Sequence, residues 1–437
     1  MARTTYKPAI ASAVIIANMI GTGVFTSLGY QLLDIKSGFV LIMLWVVGGV
    51  TALCGALSYA ELGAALPRSG GEYNFLSRIY HPMVGFVSGW ISATIGFAAP
   101  VALAAITFGS YLSAAIPALS PTWLAVGLIV VVTVAHTGRR KRSSNFQSVF
   151  TAVKISLIVG FCVLCSLMVD EPQAISFLPK LGDGGLVLSG AFAVSLIYVN
   201  YAYTGWNSVT YLINEVDDAQ RNLPRILITS TLTVMILYVA LNWTFLYVAP
   251  IAALESKVEV GYIAAQHVFG EAGASAISAV LSLLLISTVS AMTIAGPRVL
   301  QVIGEDFALF GKLARKNEDG IPTLAILVQS GLALIFVLTS SFESILLFSG
   351  FILGLNTLFA VAGVFVLRWK QPDLPRPYRT WLYPLPPLIY LGLMLWTVFY
   401  IVKSQPIEAA MAAGLIVAGV IGYVCARRWE TKPPRAD

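Results

Sequence analysis

Charge is what this sequence has least of. Asp, Glu, Lys and Arg make up 11% of its 437 residues and 57% of the chain is hydrophobic, where a soluble domain carries about 25% charged residues. No polar run exceeds a few tens of residues, which leaves no room for a domain outside a membrane, and an all-α polytopic membrane protein is predicted. Histidine and cysteine are scarce as well. The three histidines, His81, His136 and His267, lie near the ends of apolar segments without clustering, so no metal or other cofactor is called for. The four cysteines, Cys54, Cys162, Cys165 and Cys425, all fall in or at the ends of apolar segments. Cys162 and Cys165 sit one helical turn apart there and read as packing residues, not as a redox pair. The first apolar segment is too long for a signal peptide and lacks an early small-residue cleavage site, so none is expected.

What is present is a series of apolar segments. About twelve are read, over roughly 8–33, 39–66, 82–116, 121–137, 145–169, 187–213, 223–249, 272–300, 322–340, 342–368, 381–402 and 407–426, each long enough to cross a bilayer as a helix. The net charge of +6 does not point to nucleic acid, because of where the charges fall. Most of the 27 Lys and Arg lie on the side of the N-terminus, with Lys36, Lys180, Lys257 and Lys403 opposite. This bias places both termini, 1–7 and 427–437, in the cytoplasm. The basic run Arg139 to Arg142 reads as a topology anchor, with specific lipid binding as the alternative. The segment Gly304 to Gly320 reads as a short interfacial helix.

Two of the apolar segments are interrupted at mid-membrane. The first holds Asn18-Met19-Ile20-Gly21-Thr22-Gly23-Val24-Phe25, and the sixth holds Tyr201-Ala202-Tyr203-Thr204-Gly205-Trp206-Asn207. Glycine costs about 1 kcal/mol relative to alanine in a helix, and a backbone group released in hydrocarbon costs several kcal/mol unless it finds a partner. A break there is tolerated where it lines a cavity or meets a ligand. The two stand five places apart in the order of spans, an odd offset, so they cross the membrane in opposite directions. That is the relation of an inverted repeat, 8–169 against 187–368, with 381–426 appended, and paired breaks point to a transporter's binding site.

Lys154 is the one basic residue inside a span. A lysine near a helix centre costs about 2.5–3.5 kcal/mol on the insertion scale, so a functional role is the default and snorkelling to the interface the alternative. Span 8 carries hydroxyls at Ser282, Ser287, Thr288, Ser290 and Thr293, any of which can face a cation site or simply bond to a neighbouring helix.

The breaks suggest the ligand. The free N–H groups and positive end of a half-helix attract a carboxylate, and the free C=O groups of the other half attract an ammonium. Neither break holds Asp, Glu or Arg, which fits a zwitterion better than a polyamine or a dicarboxylate. Tyr201, Tyr203 and Trp206 line the second break, either to close over a ligand or to pack.

Ile20-Gly21-Thr22-Gly23-Val24-Phe25, Glu61 with Pro67 to Tyr73, Tyr203-Thr204-Gly205-Trp206-Asn207 with Glu215 and Arg221 to Arg225, and Gly296-Pro297-Arg298 resemble the signatures of the amino acid-polyamine-organocation superfamily. Within it the likeness is strongest to the L-type amino acid transporter branch and its bacterial relatives. The resemblance implies the twelve-span LeuT-type fold, a five-plus-five inverted repeat with broken helices 1 and 6 and two further helices. It implies that the backbone from Ile20 through Gly21, Thr22 and Gly23 holds the substrate carboxylate, and that carbonyls in the stretch Tyr201, Ala202, Tyr203 and Thr204 hold its ammonium. Tyr201 matches the gating aromatic and Asn207 a polar residue below the site. Lys154 matches a lysine that replaces a sodium ion near the carbonyls of Ala17 and Ile20 and the hydroxyls of Ser287 and Thr288. It serves there as a fixed cation or, in proton-coupled relatives, as a proton carrier. Two positions depart from the family pattern. Asp218-Ala219 stands where Asn-Pro is usual, and Thr204 stands where many relatives have Ser or Gly, its methyl group narrowing the site toward small side chains.

The expected function is therefore sodium-independent exchange of neutral L-amino acids across a bacterial-type plasma (inner) membrane, with no accessory subunit evident. Proton-coupled symport is the nearest alternative, and polyamine or cationic amino acid transport a more distant one. An amino acid sensor would need a signalling domain or long tail, and neither is evident. An enzyme would need a catalytic constellation at bundle depth, whereas Glu61, Glu215 and the histidines lie near the interfaces.

Overall fold

The computed structural model describes residues 7–68, 70–137, 144–318 and 320–430; the basic run Arg139 to Arg142 and most of both tails lie outside them. Among the described residues nine apolar helices or helix pairs are long enough to cross a membrane, Pro121–Thr137 and Thr323–Thr339 are shorter apolar helices, and the interrupted segment Gly190–Tyr203 with Trp206–Glu215 completes twelve. Every expected span has its helix.

Several boundaries differ, each for a local reason. Span 8, Val260–Ala295, is divided at Gly270, which leaves helical geometry with φ of 66°, into a short leading piece and the apolar part expected from 272. Its apolar part stops at Ala295, and Pro297 then starts a separate helix, Pro297–Asp306, followed by a 3-10 turn, Ala308–Ala314, so the interfacial helix lies earlier than expected. The length of span 3, Pro82–Ala115, includes a π-helical turn at Ser92–Gly96. The polar stretch between spans 2 and 3 is itself a helix, Gly71–Ile79, which follows Gly70 and Gly71, both at positive φ.

Packing sorts the spans into two groups. Spans 3, 4, 8 and 9 pack mainly on one another, as do spans 1, 2, 6 and 7, while spans 5 and 10 touch both groups. The breaks of spans 1 and 6 therefore meet inside the second group, with spans 3 and 8 facing them.

A buried ion pair fastens the face that carries the N-terminus. Glu61 of span 2 is 1% exposed and accepts two bonds of 2.8 Å from Arg368 of span 10 and one of 2.7 Å from the Thr380 N–H. Arg368 also lies 3.6 Å from the centre of the Tyr383 ring. Arg376, nearly fully buried, lies 3.6 Å from the same carboxylate, so Glu61→Gln leaves two guanidinium groups without their counter-ion, and breaking a buried pair costs about 3–5 kcal/mol. The melting midpoint in detergent is expected to fall by several degrees, and adding Arg368→Met is expected to recover part of the loss.

Candidate functional site

The first half of span 1, Pro8–Met19, ends because Ile20 leaves helical geometry with ψ of 77°, and the helix resumes at Gly23. The Gly21 N–H turns back to the Met19 carbonyl at 2.7 Å. Thr22 precedes the second half, Gly23–Gln31, without capping it by its side chain. The first N–H groups of that half have no partner within the helix, and they form the positive end expected to meet an anion. In span 6 the helix ends at Tyr203, Thr204 is extended, and Gly205 takes φ of 109°, a conformation that favours glycine. The chain continues as a 3-10 helix.

The two breaks touch, and glycine makes the contact possible on each side. A Cβ at Gly23 would lie 2.6 Å from the Cα and Cβ of Ala202, and one at Gly205 would lie 2.8 Å from the Asn18 carbonyl. Each break presses a glycine onto the other broken helix.

The acceptors expected for an ammonium are already engaged. The Tyr201 carbonyl accepts the Thr204 N–H at 2.9 Å and the Thr204 hydroxyl at 2.5 Å. The Ala202 carbonyl accepts the hydroxyl of Tyr238 at 3.1 Å, and the same hydroxyl lies 2.5 Å from the Met19 carbonyl. Tyr238, on span 7 (Ala219–Val248) and fully buried, thus joins the ends of both broken helices through one oxygen. Sequence reasoning missed it. Its only signal was a tyrosine in an apolar span, where a buried hydroxyl must find an acceptor.

Lys154 is buried, and its ammonium donates to the Ile20 carbonyl and to the Thr288 hydroxyl, both at 3.0 Å. Among the described residues these are its only bonds. The Ser287 hydroxyl turns back to its own helix at Leu284, 2.7 Å away, and one turn along span 5 Thr151 bonds to the carbonyl of Ala13. Of the candidate cation-site residues, the structure brings together Lys154, Ile20 and Thr288; Ala17 and Ser287 are not bonded to the lysine. Beside Lys154 lies a cavity of about 10 Å³, lined in part by Gly21, Phe25, Thr107, Tyr111 and Thr288, close to the space of one water.

The remaining expected residues divide. Tyr201 is buried in a cluster with the side chains of span 10. Tyr203 points away from the break, its hydroxyl 3.0 Å from the Trp45 carbonyl, and Trp206 packs edge-on against Tyr59 at 4.7 Å between ring centres. Asn207 donates to the buried carboxylate of Glu72, which also accepts the Tyr59 hydroxyl at 2.9 Å.

The sequence profile of the amino acid permease family matches residues 10–423. The chain is 28% identical to the large neutral amino acids transporter small subunit 2 of Mus musculus, over 97% of this chain and 81% of that one. It is 26% identical to the human Asc-type amino acid transporter 1, over 97% and 82%, and 26% identical to the cystine/glutamate transporter of Pongo abelii, over 96% and 85%.

Proposed function

Because this chain belongs to the amino acid permease family, an amino acid transporter and not an enzyme, we propose that it exchanges neutral L-amino acids without sodium across a bacterial-type plasma membrane. Both termini are read as cytoplasmic. Residues 8–169 and 187–368 are read as two inverted units around one site.

The observation that carries this reading is the place of the Lys154 ammonium. It fills the space between the end of the first half-helix and span 8, bonded to Ile20 and Thr288, where a free cation would otherwise be needed to hold those oxygens together. A protein with its cation built in has no use for sodium there. The touching breaks support a zwitterion, since one supplies N–H groups and the other C=O groups without a charged side chain. The printed name of one relative, the large neutral amino acids transporter, supports a neutral substrate.

In this reading the substrate ammonium takes the place of the Thr204 hydroxyl on the Tyr201 carbonyl, and the carboxylate lies at the N–H groups of Thr22 and Gly23. Tyr201 closes over the ligand and Asn207 closes below it. Competition tests the zwitterion directly. L-leucine is expected to inhibit uptake of labelled L-alanine, while leucine methyl ester, which lacks the carboxylate, and the 2-hydroxy acid analogue, which lacks the ammonium, leave it unchanged. Equal inhibition by either analogue would reject the paired-break site.

Proton symport is favoured by one feature: among the described residues the ammonium of Lys154 is bonded to two neutral oxygens and to no carboxylate, so no counter-ion opposes release of its proton. An inward proton gradient that drives uptake into empty vesicles would select this reading.

Tyr238→Phe keeps the ring packing on Trp45 and Tyr203 and removes the shared hydroxyl. Losing a hydrogen bond of this kind costs about 0.5–1.5 kcal/mol, so transport efficiency is expected to fall about two- to tenfold, read from initial uptake rates over a range of substrate concentrations.

A further inference from the structure

Alternating access requires that each face be closed while the other opens, and the packing groups show where such closures must act. Spans 3, 4, 8 and 9 form one group and spans 1, 2, 6 and 7 the other, so a closing contact joins a residue of one group to a residue of the other. Two such contacts stand at opposite faces of the site.

On the face opposite the N-terminus, Tyr111 is buried near the end of span 3. Its hydroxyl accepts the Gly261 N–H of span 8 at 2.9 Å and donates to the Phe25 carbonyl of span 1 at 3.0 Å. The Ser278 hydroxyl of span 8 holds the Tyr111 carbonyl at 2.6 Å. Gly261 lies in the first turn of span 8, where N–H groups have no partner within the helix, so the phenol is firmly held by spans 3 and 8 and reaches across the boundary once, to the half-helix that begins at Gly23.

On the face of the N-terminus the helix Gly71–Ile79 does the corresponding work with adjacent residues. Tyr73 fastens it to the group of spans 3 and 8: the phenol donates to Asp306, and the ring lies against Gly89, where a Cβ would meet it at 2.8 Å. Burial first, and the Asp306 carboxylate second, hold this phenol above its ordinary range, so it stays a donor. Glu72 reaches the other way and accepts bonds from Tyr59 of span 2 and Asn207 of span 6.

We propose that Tyr111 and Glu72 are opposed latches, positioning residues that set which face of the transporter is open: Tyr111 by holding Phe25, Glu72 by holding Asn207 and Tyr59. Both contacts are formed in this structure. Each half of a transport cycle releases one latch and keeps the other. The inference rests on the transport reading.

The test is accessibility, which needs no transport. In a chain whose four cysteines are replaced, Thr107→Cys puts a thiol at a buried position that lines the cavity, and a membrane-impermeant maleimide is added to either face of oriented vesicles. Tyr111→Phe is expected to raise the labelling rate from the face opposite the N-terminus about three- to tenfold, the effect of one lost hydrogen bond on an equilibrium, and to lower it from the other face. Glu72→Met, which removes the acceptor oxygens for Tyr59 and Asn207, is expected to do the reverse. Equal changes from both faces, or none, would overturn the proposal. Should Tyr111→Phe fail to reach the membrane, Glu72→Met, on a different element, decides alone. Opposite sidedness in a protein that moves no amino acid would overturn the transport reading and leave the latches standing, whereas transport with unaltered sidedness would do the opposite.

Discussion

Lys154→Ala is expected to reduce amino acid exchange at least about tenfold. The ammonium makes two charge-assisted bonds, to Ile20 and Thr288, and hydrogen bonds to charged groups contribute about 1.5–3 kcal/mol each. Without it the carbonyl that ends the first half-helix loses its partner in a nonpolar setting, and span 5 is no longer tied to the break of span 1. The check is initial exchange in proteoliposomes at matched protein density, with the substrate constant measured from each side. Wild-type rates and constants in this variant would remove the fixed cation from the account. Thr288→Val deletes one of the two bonds and leaves the ammonium, so it is expected to fall between the wild type and Lys154→Ala.

Gly205→Ala is expected to cost at least as much, through backbone geometry alone. A residue with a Cβ at φ of 109° is strained by about 1–3 kcal/mol, and the added carbon would sit 2.8 Å from the Asn18 carbonyl, which is backbone and cannot swing aside. The two breaks would be forced apart and the carboxylate and ammonium ends of the site with them, so exchange is expected to drop below about a tenth of wild type. Gly23→Ala, aimed at Ala202 from the other side, is expected to behave alike. Gly127→Ala in span 4 meets nothing within 4 Å and is the control, with transport unchanged. The comparison needs protein levels in the membrane alongside uptake; loss of transport in the control to the same degree would mean that helix glycines in general, and not the touching breaks, are being tested.

These two sites were legible because they break local rules. Glycines beside a threonine, and a lysine, are costly in the middle of an apolar helix, so their presence demanded an explanation before any contact was known. The spans themselves were legible from length and hydrophobicity, and their number follows from them. Partners were a different matter. Tyr238 reaches Met19 across 219 residues of sequence, and Tyr111 reaches Gly261 across 150; a tyrosine in an apolar span announces that it needs an acceptor but not which one. The hydroxyls of span 8 show the same limit. Ser287 and Thr288 are neighbours, yet one residue is about 100° of helix rotation, which sends Ser287 back to its own helix and Thr288 to the lysine. The π turn at Ser92–Gly96 leaves hydrophobicity unchanged and so left no mark on the reading of the spans.

Exchange without sodium is tested by comparing loaded with empty proteoliposomes. Labelled L-alanine or L-leucine is presented with no sodium and no pH gradient, to vesicles holding unlabelled amino acid or buffer alone. Rapid uptake into the loaded vesicles and little into the empty ones is expected, in both cases indifferent to added sodium. Uptake that ignores the internal amino acid and instead requires sodium or an inward proton gradient would contradict exchange without sodium.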